Sequence, residues 1–278
     1  MEVGKKFKNI DSYNENMSKH IKDKLFWVDY LPENKDYVII DFGCADGAMI
    51  NYLCEINKES KQKNTYIGYD ISETMIKIAK TNFHGDSSDD VVFTSSWDNV
   101  KNMLNFNKDK VKVLVLSSII HEVYSYAETE NDVDIFWDRV LNTGFDYIMV
   151  RDMMVSYDTI RKTASNDYDN LFLNGNSKQL EEFQKIHGNV DIIKNMLHFL
   201  LKYRWKINWE REVAEDYFPI FIEDFLEIMK SYNVIYFERF RVQFLDDEIK
   251  KDFNIGLTDY THVKGVFSKK KFSSCQII

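Results

Sequence analysis

The chain has 278 residues, of which 44% are hydrophobic and 29% charged, as in an ordinary globular protein. This length suits one large α/β domain, or such a core with an inserted subdomain. The formal net charge of −9 opposes binding to a phosphate backbone. It argues against DNA as a substrate and leaves RNA open only if a local basic groove exists.

The three cysteines form neither a disulfide framework nor a zinc pattern, and we expect no metal site. The N-terminal residues lack the apolar core of a signal peptide, and no apolar run approaches the roughly 18 residues of a membrane span. We therefore expect a cytoplasmic protein. Cys275, in the C-terminal letters CQII, partly fits a prenylation signal that only a eukaryotic cell would read; chance is the reading we favour.

Predicted strands and helices alternate through the first half of the chain. Apolar residues at helical spacing predict an amphipathic helix over 12–30. Apolar runs predict strands at 37–42, 65–70, 91–94, 112–118 and 145–152. Helices are predicted at 46–58, 72–80 (with Ser72 as its N-cap) and 130–141. This alternation is typical of βαβ units and a parallel sheet.

The pattern changes after the fifth strand. Residues 155–217 show only helical segments, a helix follows Pro219 to about residue 231, and strands at 234–244 and 261–269 are expected to pair antiparallel. The predicted fold is α/β, a Rossmann-like doubly wound seven-stranded sheet with a final antiparallel pair and a helical insertion after strand 5. We expect three parts: 1–154 as the N-terminal helix and first part of the core, 155–217 as the insertion, and 218–278 as the rest of the core.

A strand, a glycine-containing turn and a helix follow one another in VIIDFGCADGAMINYL, residues 38–53. Gly43 and Gly47 permit a sharp turn after Asp41 and the close approach of a ligand, which the turn amides can then face. Asp70 ends the second strand, where a carboxylate can accept hydrogen bonds from both hydroxyls of a ribose. The alternative is a tight turn without a ligand.

In these residues the chain resembles the class I S-adenosylmethionine-dependent methyltransferases, because DFGCADG is similar to their first motif. It differs from the dinucleotide fingerprint, which has a third glycine. The resemblance covers roughly 12–153 and 219–269, and it implies methyl transfer from S-adenosyl-L-methionine. The implied cofactor residues are Asp41, Gly43, Cys44, Ala45 and Gly47 for the methionine part, Asp70 for the ribose, Ile71 and Met75 beside the adenine, Trp97 or Asp98 near its amine, and Ser117 under the sulfonium.

The fourth strand ends in SSIIHEVYSY, residues 117–126, at the edge where open α/β sheets bind ligands. This position brings His121, Glu122 and Tyr124 near the transferred methyl group. His121 can serve as the base that removes the acceptor's proton, with Glu122 orienting it. The alternatives are that His121 only packs against the next helix, and that Cys44 is a nucleophile, which we rank below a structural role.

Substrate contacts are predicted from the fifth strand and the insertion. Arg151 ends the strand and needs either a distant carboxylate or the substrate as its partner. The aromatic and charged residues of 198–219 predict a helical lid, in which Tyr203, Arg204, Trp209 and Arg211 contact the acceptor; a solvated helix pair is the alternative. A small-molecule acceptor is favoured. A non-catalytic cofactor-binding partner protein and an RNA- or nucleotide-modifying enzyme stay open.

Overall fold

The computed structural model describes residues 21–58, 60–86 and 90–270. The helix predicted over 12–30 begins outside these residues, as does the tail that contains Cys275. Within them, helix α1 (Ile21–Lys24) ends early and a 3-10 turn follows at Val28–Tyr30. The prediction of one continuous helix to residue 30 is therefore wrong. Among the described residues, no helix combines the length and apolar character needed to cross a membrane.

Seven strands form one sheet in the order β3-β2-β1-β4-β5-β7-β6. The first five pair in parallel, and β7 is antiparallel to both β5 and β6. The predicted fold class is confirmed, with its parallel core and final antiparallel pair. The strands are β1 (Tyr37–Phe42), β2 (Thr65–Tyr69), β3 (Asp90–Thr94), β4 (Val111–Ser117), β5 (Tyr147–Met153), β6 (Tyr232–Phe240) and β7 (His262–Lys269).

Helices connect the parallel strands and fill the region after β5. Ser72 caps α3 as predicted, because its hydroxyl accepts a hydrogen bond from the Met75 amide. The helices are α2 (Ala48–Asn57), α3 (Glu73–Asn82), α4 (Trp97–Phe106), α5 (Ile120–Tyr126), α6 (Glu130–Asn142), α7 (Ser165–Asn174), α8 (Ser177–His187), α9 (Ile193–Lys202), α10 (Trp209–Glu212), α11 (Ile222–Ile228) and α12 (Gln243–Phe253).

The sheet carries a hydrophobic cluster on each face. Along β1, Val38 and Ile40 belong to one cluster, whereas Tyr37 and Ile39 belong to the other. Successive strand residues point to opposite faces, so a strand covered on both sides must be apolar throughout. This is why the apolar runs of the central strands were readable from the sequence.

A third cluster lies among the helices after β5 and includes Ile249 and Phe253 of α12. This helix was not predicted, and the strand predicted over 234–244 reaches its first residues, whereas β6 ends at Phe240. The missed signal is the spacing of Leu245, Ile249 and Phe253, four residues apart, which places them on one helical face.

Candidate functional site

The turn between β1 and α2 has left-handed backbone at three positions, with φ of +80° at Gly43, +46° at Ala45 and +79° at Gly47. A side chain at Gly43 would also meet Ile119, because an added Cβ would lie 2.6 Å from its Cδ1. Only glycine adopts such backbone without cost, so both the turn and its contact with the β4–α5 loop depend on Gly43.

The amides of this turn are used within the protein. Those of Gly43 and Cys44 donate to the Tyr69 carbonyl at 2.7 and 3.0 Å, and that of Gly47 donates to the Cys44 carbonyl at 2.8 Å. The Ala45 amide donates to Asp70 Oδ2 at 3.0 Å. We expected the turn amides to face a ligand, but three of these four instead bond to Tyr69 and Asp70, and that of Gly47 closes the turn itself. Ligand recognition at this site therefore falls mainly to side chains.

Asp70 is held at the end of β2 by two backbone amides. Besides the Ala45 contact, its Oδ1 accepts from the Ser72 amide at 2.8 Å. Burial raises the pKa of Asp70, and these two hydrogen bonds oppose the shift. A carboxylate offers about four acceptor positions, so the group can still accept hydrogen bonds from ligand hydroxyls.

A cavity of about 430 Å³ opens at the C-terminal ends of β1 and β4. This volume is typical of sites for small molecules and cofactors. The sequence-predicted residues that line it are Asp41, Gly43, Cys44, Ala45, Asp70, Ile71, Met75, Ser117, Glu122 and Arg211. Lining residues that the sequence analysis did not identify include Lys24, Asp46, Tyr69, Asp132 and Arg139. Asp46 lies within the DFGCADG motif, whereas no motif marks the other four, which reach the cavity only through the fold.

Other predicted site residues do not line this cavity. Gly47 contributes to the backbone of the turn and lies next to the Phe93 side chain. Trp97 and Asp98 line a separate groove of about 630 Å³ between α4 and α6, and Arg139 borders both spaces. The remaining residues outside the cavity lining are His121, Tyr124, Arg151, Tyr203, Arg204 and Trp209.

Carboxylates dominate the wall beside the turn. Asp41 is buried, and burial raises its pKa to about 7; the Lys24 ammonium opposes this shift, and the nearby Asp70 and Asp46 carboxylates add to it. Burial likewise raises the pKa of Asp46. A cationic ligand would relieve the mutual repulsion of these carboxylates. The wall is thus suited to positively charged groups.

His121 lies behind the cavity wall and forms an ion pair with Asp152. Its Nδ1 is 2.5 Å from Asp152 Oδ1, and both side chains are buried. Burial alone would lower the pKa of His121, but the Asp152 carboxylate outweighs it and raises the pKa to about 9. A base must have a free lone pair, so an imidazolium in this pair is poorly placed to accept a proton at neutral pH.

Asp152 also supports the loop that forms part of the cavity wall. Its Oδ2 accepts hydrogen bonds from the Ile119 and Ile120 amides at 2.9 and 2.7 Å. Between these amides and β4 lies Ser118, a non-glycine residue with φ of +57°. Such backbone persists where the surroundings hold it in place. The Asp152–His121 pair therefore fixes the loop beside Ser117.

Arg211 is the predicted insertion residue that reaches the cavity. Its Nη2 lies 3.2 Å from Glu122 of α5 and 2.6 Å from Glu215, and its Nη1 lies 3.4 Å from Glu212. Tyr126 completes the cluster by donating to Glu215 at 2.6 Å. The ion pair between Arg211 and Glu122 joins the region after β5 to the helix that follows β4.

The other predicted substrate residues have partners within the protein. Arg151 donates to Asp23 at 2.8 Å, which is the distant carboxylate that the sequence analysis left open. The remaining three pair inside the helical region: Tyr203 with Asp252, Arg204 with Glu248 and Trp209 with Glu182.

Cys44 is buried, and burial raises the pKa of its thiol, with Asp41 and Asp70 adding to the shift. A thiol reacts as its thiolate, so this environment suppresses nucleophilic chemistry. The arrangement favours the structural role.

A cluster of His187, His198 and Asp216 brings potential metal-ligand atoms within 4.8 Å of one another. However, His198 Nε2 accepts a hydrogen bond from the Tyr217 amide at 3.0 Å. A neutral imidazole then carries its proton on Nδ1, and neither nitrogen has a lone pair for a metal. This hydrogen bond therefore removes His198 as a metal ligand.

Comparison with known proteins identifies one family model, described as a methyltransferase domain, which matches residues 33–199. No curated protein matches the chain. Similar solved structures include the methyltransferase domain of bacterial CtHen1-CN, with 14% identity over 94% of this chain and 100% of that chain and a TM-score of 0.46. Another is the cyclopropane synthase MmaA2 from Mycobacterium tuberculosis, with 12% identity over 90% and 84% and a TM-score of 0.47.

Proposed function

The chain belongs to the methyltransferase-domain family, whose model matches more than half of it, and on that premise we propose that it methylates a small-molecule acceptor in the cavity at the ends of β1 and β4. The chain is a class I S-adenosylmethionine-dependent methyltransferase, with the sheet order of that fold. The acceptor and the roles of individual residues are our proposal. The observation that carries it is a single cavity shared by Asp41, Asp70 and Ser117.

The chemistry of the cavity wall fits S-adenosylmethionine. This molecule carries a positive sulfonium and a positive ammonium group, and the acidic wall of Asp41, Asp46 and Asp70 complements both. Asp70 is braced to receive the ribose hydroxyls. The apolar side chains of Ile71 and Met75 line the same cavity and can contact the adenine. When bound, the cofactor supplies an activated methyl group.

Two features support a small molecule as acceptor. The cavity continues past Ser117 to Glu122, Tyr126 and Arg211, polar side chains that can contact an acceptor. A non-catalytic cofactor-binding protein would instead have this space filled. The chain's net charge of −9 further disfavours an RNA backbone.

We further propose that the region after β5 acts as a lid through Arg211. The Arg211–Glu122 contact supports this proposal, because it joins the region to the cavity lining, from which it can exclude water once ligands are bound. The test is hydrogen exchange in the presence of S-adenosylhomocysteine. Protection of the amides around α10 supports the lid, whereas unchanged exchange there, with protection at the β1–α2 turn, would remove it.

The binding experiment is calorimetric titration with S-adenosylhomocysteine, the demethylated product of the cofactor. We expect saturable binding at micromolar concentrations and displacement by S-adenosylmethionine. A chain that binds neither molecule, while melting cooperatively, would contradict the proposal.

A further inference from the structure

Lys24 enters the cavity from a part of the chain that carries no recognised motif. Its neighbour Asp23 accepts hydrogen bonds from two cations, Arg151 Nε of β5 at 2.8 Å and the Lys264 ammonium of β7. These contacts join residues 128 and 241 positions apart in the sequence. They hold α1 against β5 and β7, and the next residue, Lys24, lies in the cavity lining.

Within the part of the chain that the structure describes, the Lys24 ammonium has no hydrogen-bond or ion-pair partner. The charged groups that face it come from four elements: Asp41 of β1, Asp46 of the turn, Glu122 of α5 and Arg151 of β5. The strand between β1 and β5 in the sheet is β4. Lys24 lines the cavity together with Asp41, Asp46 and Glu122.

Ser117 is the last residue of β4 and lines the same cavity. Its hydroxyl oxygen is buried and has no hydrogen-bond partner. Burying a hydroxyl without a partner is unfavourable, so this group is expected to serve a ligand. Lys24 and Ser117, two polar side chains without partners among the described residues, thus line the same cavity.

We propose that Lys24 is a catalytic residue that takes the acceptor's proton during methyl transfer. This inference rests on the proposed function. In the step, a lone pair of the acceptor's oxygen or nitrogen forms the bond to the methyl carbon. The carbon–sulfur bond breaks with its electron pair going to sulfur, and the acceptor's proton moves to Nζ of the neutral Lys24. Solvent then removes that proton.

The electrostatics of the site agree with this role. Burial lowers the pKa of Lys24 to about 8, with Arg151 adding to the shift and Asp41, Asp46 and Glu122 opposing it. A general base works best when its pKa lies near the working pH. The sulfonium of the cofactor is a further positive charge at this place, so its arrival favours the neutral amine.

The test measures the number of protons released when a ligand binds, and it does not require the acceptor to be known. Calorimetry near pH 8 in two buffers of different ionisation enthalpy gives the protons released on binding S-adenosylmethionine, which is a sulfonium, and S-adenosylhomocysteine, which is not. Because Lys24 is about half protonated near its pKa, we expect the sulfonium to release up to about half a proton more than the thioether.

Two variants assign that proton. Lys24→Met removes the titrating group, and Lys24→Arg keeps a cation that stays protonated, so either should abolish the difference between the two ligands. Lys206→Met, at an exposed position, should keep it. Asp41 contributes little in the native chain, because its pKa of about 7 leaves it mostly ionised near pH 8, and Lys24→Arg keeps a cation that lowers this pKa.

Equal proton release for both ligands in the native chain overturns the assignment of Lys24, as does a difference that survives in both Lys24 variants. Failure of both ligands to bind would instead contradict the proposed function. The two failures are therefore distinguishable.

Discussion

His121 Nδ1 lies 2.5 Å from Asp152 Oδ1 in a buried ion pair, and the same carboxylate holds the amides of the loop after β4. A residue that the sequence placed at the reacting methyl thus supports the cavity wall from behind. The pairing also couples protonation of His121 to folding.

We predict that His121 makes stability fall as the pH rises. Its pKa in the folded chain is about 9, above the ordinary 6.5, so its contribution is complete below about pH 6.5 and is lost as the pH rises through about 9. Urea unfolding at both ends of this range should show that His121→Gln removes a pH-dependent contribution on the order of 3 kcal/mol.

The control for this measurement is His84→Gln, at an exposed position without such a partner pair. It should follow the native pH dependence. A native chain and a His121→Gln variant that differ by the same free energy at pH 6 and above pH 9 would disprove the coupling.

Arg211→Met should destabilise the fold strongly. The guanidinium is 4% exposed and forms ion pairs with Glu122, Glu212 and Glu215, so its removal leaves the buried Glu212 and Glu215 carboxylates close together without this cation. We expect a loss of about 3–5 kcal/mol in the free energy of unfolding, measured in urea.

The matched control is Arg204→Met, which removes the more exposed pair with Glu248 and should cost about 1 kcal/mol or less. Equal losses for the two variants would show that the Arg211 cluster is no more important than a surface pair.

The β1–α2 turn should not tolerate alanine at Gly43. The left-handed backbone and the approach to Ile119 both oppose a Cβ, and we expect a loss of about 1–2 kcal/mol or more. Gly256→Ala is the control, because an added Cβ there meets nothing within 4 Å. If thermal melting showed equal effects for both variants, the turn would not require glycine.

Asp70→Ala should weaken S-adenosylhomocysteine by about 10- to 100-fold, as expected for losing hydrogen bonds from ribose hydroxyls to a charged group. Asp98→Ala should leave the affinity unchanged, since Asp98 is exposed and pairs with Lys101 at 2.6 Å. Calorimetry on both variants decides between these two predicted cofactor residues. Equal affinities would exclude Asp70 from the ribose site.

The features that could be predicted from the sequence are local ones. The strand–turn–helix over 38–53 and the carboxylate at Asp70 are each specified by a few neighbouring residues, and the structure brings them to one cavity. Buried parallel strands were visible as apolar runs, because both faces of the sheet are covered.

The rest depends on partners far apart in the chain. Arg151 meets Asp23, which is 128 positions away, and His121 meets Asp152, which is 31 away. Neither pairing leaves a periodicity or a motif. Lys24 illustrates the same limit, because α1 gave only a helical pattern, whereas its place in the cavity lining depends on the contacts of Asp23 with distant strands.

Labelled transfer shows whether the chain methylates a small molecule. The native chain is incubated with S-adenosylmethionine carrying an isotopic methyl label and a cell extract separated by ultrafiltration into small molecules and macromolecules. Asp70→Ala serves as the background. With the cofactor at a concentration near its affinity for the native chain, we expect label in a compound of the small-molecule fraction, strongly reduced with the variant. Label confined to RNA or protein, or no label above the variant, would contradict it.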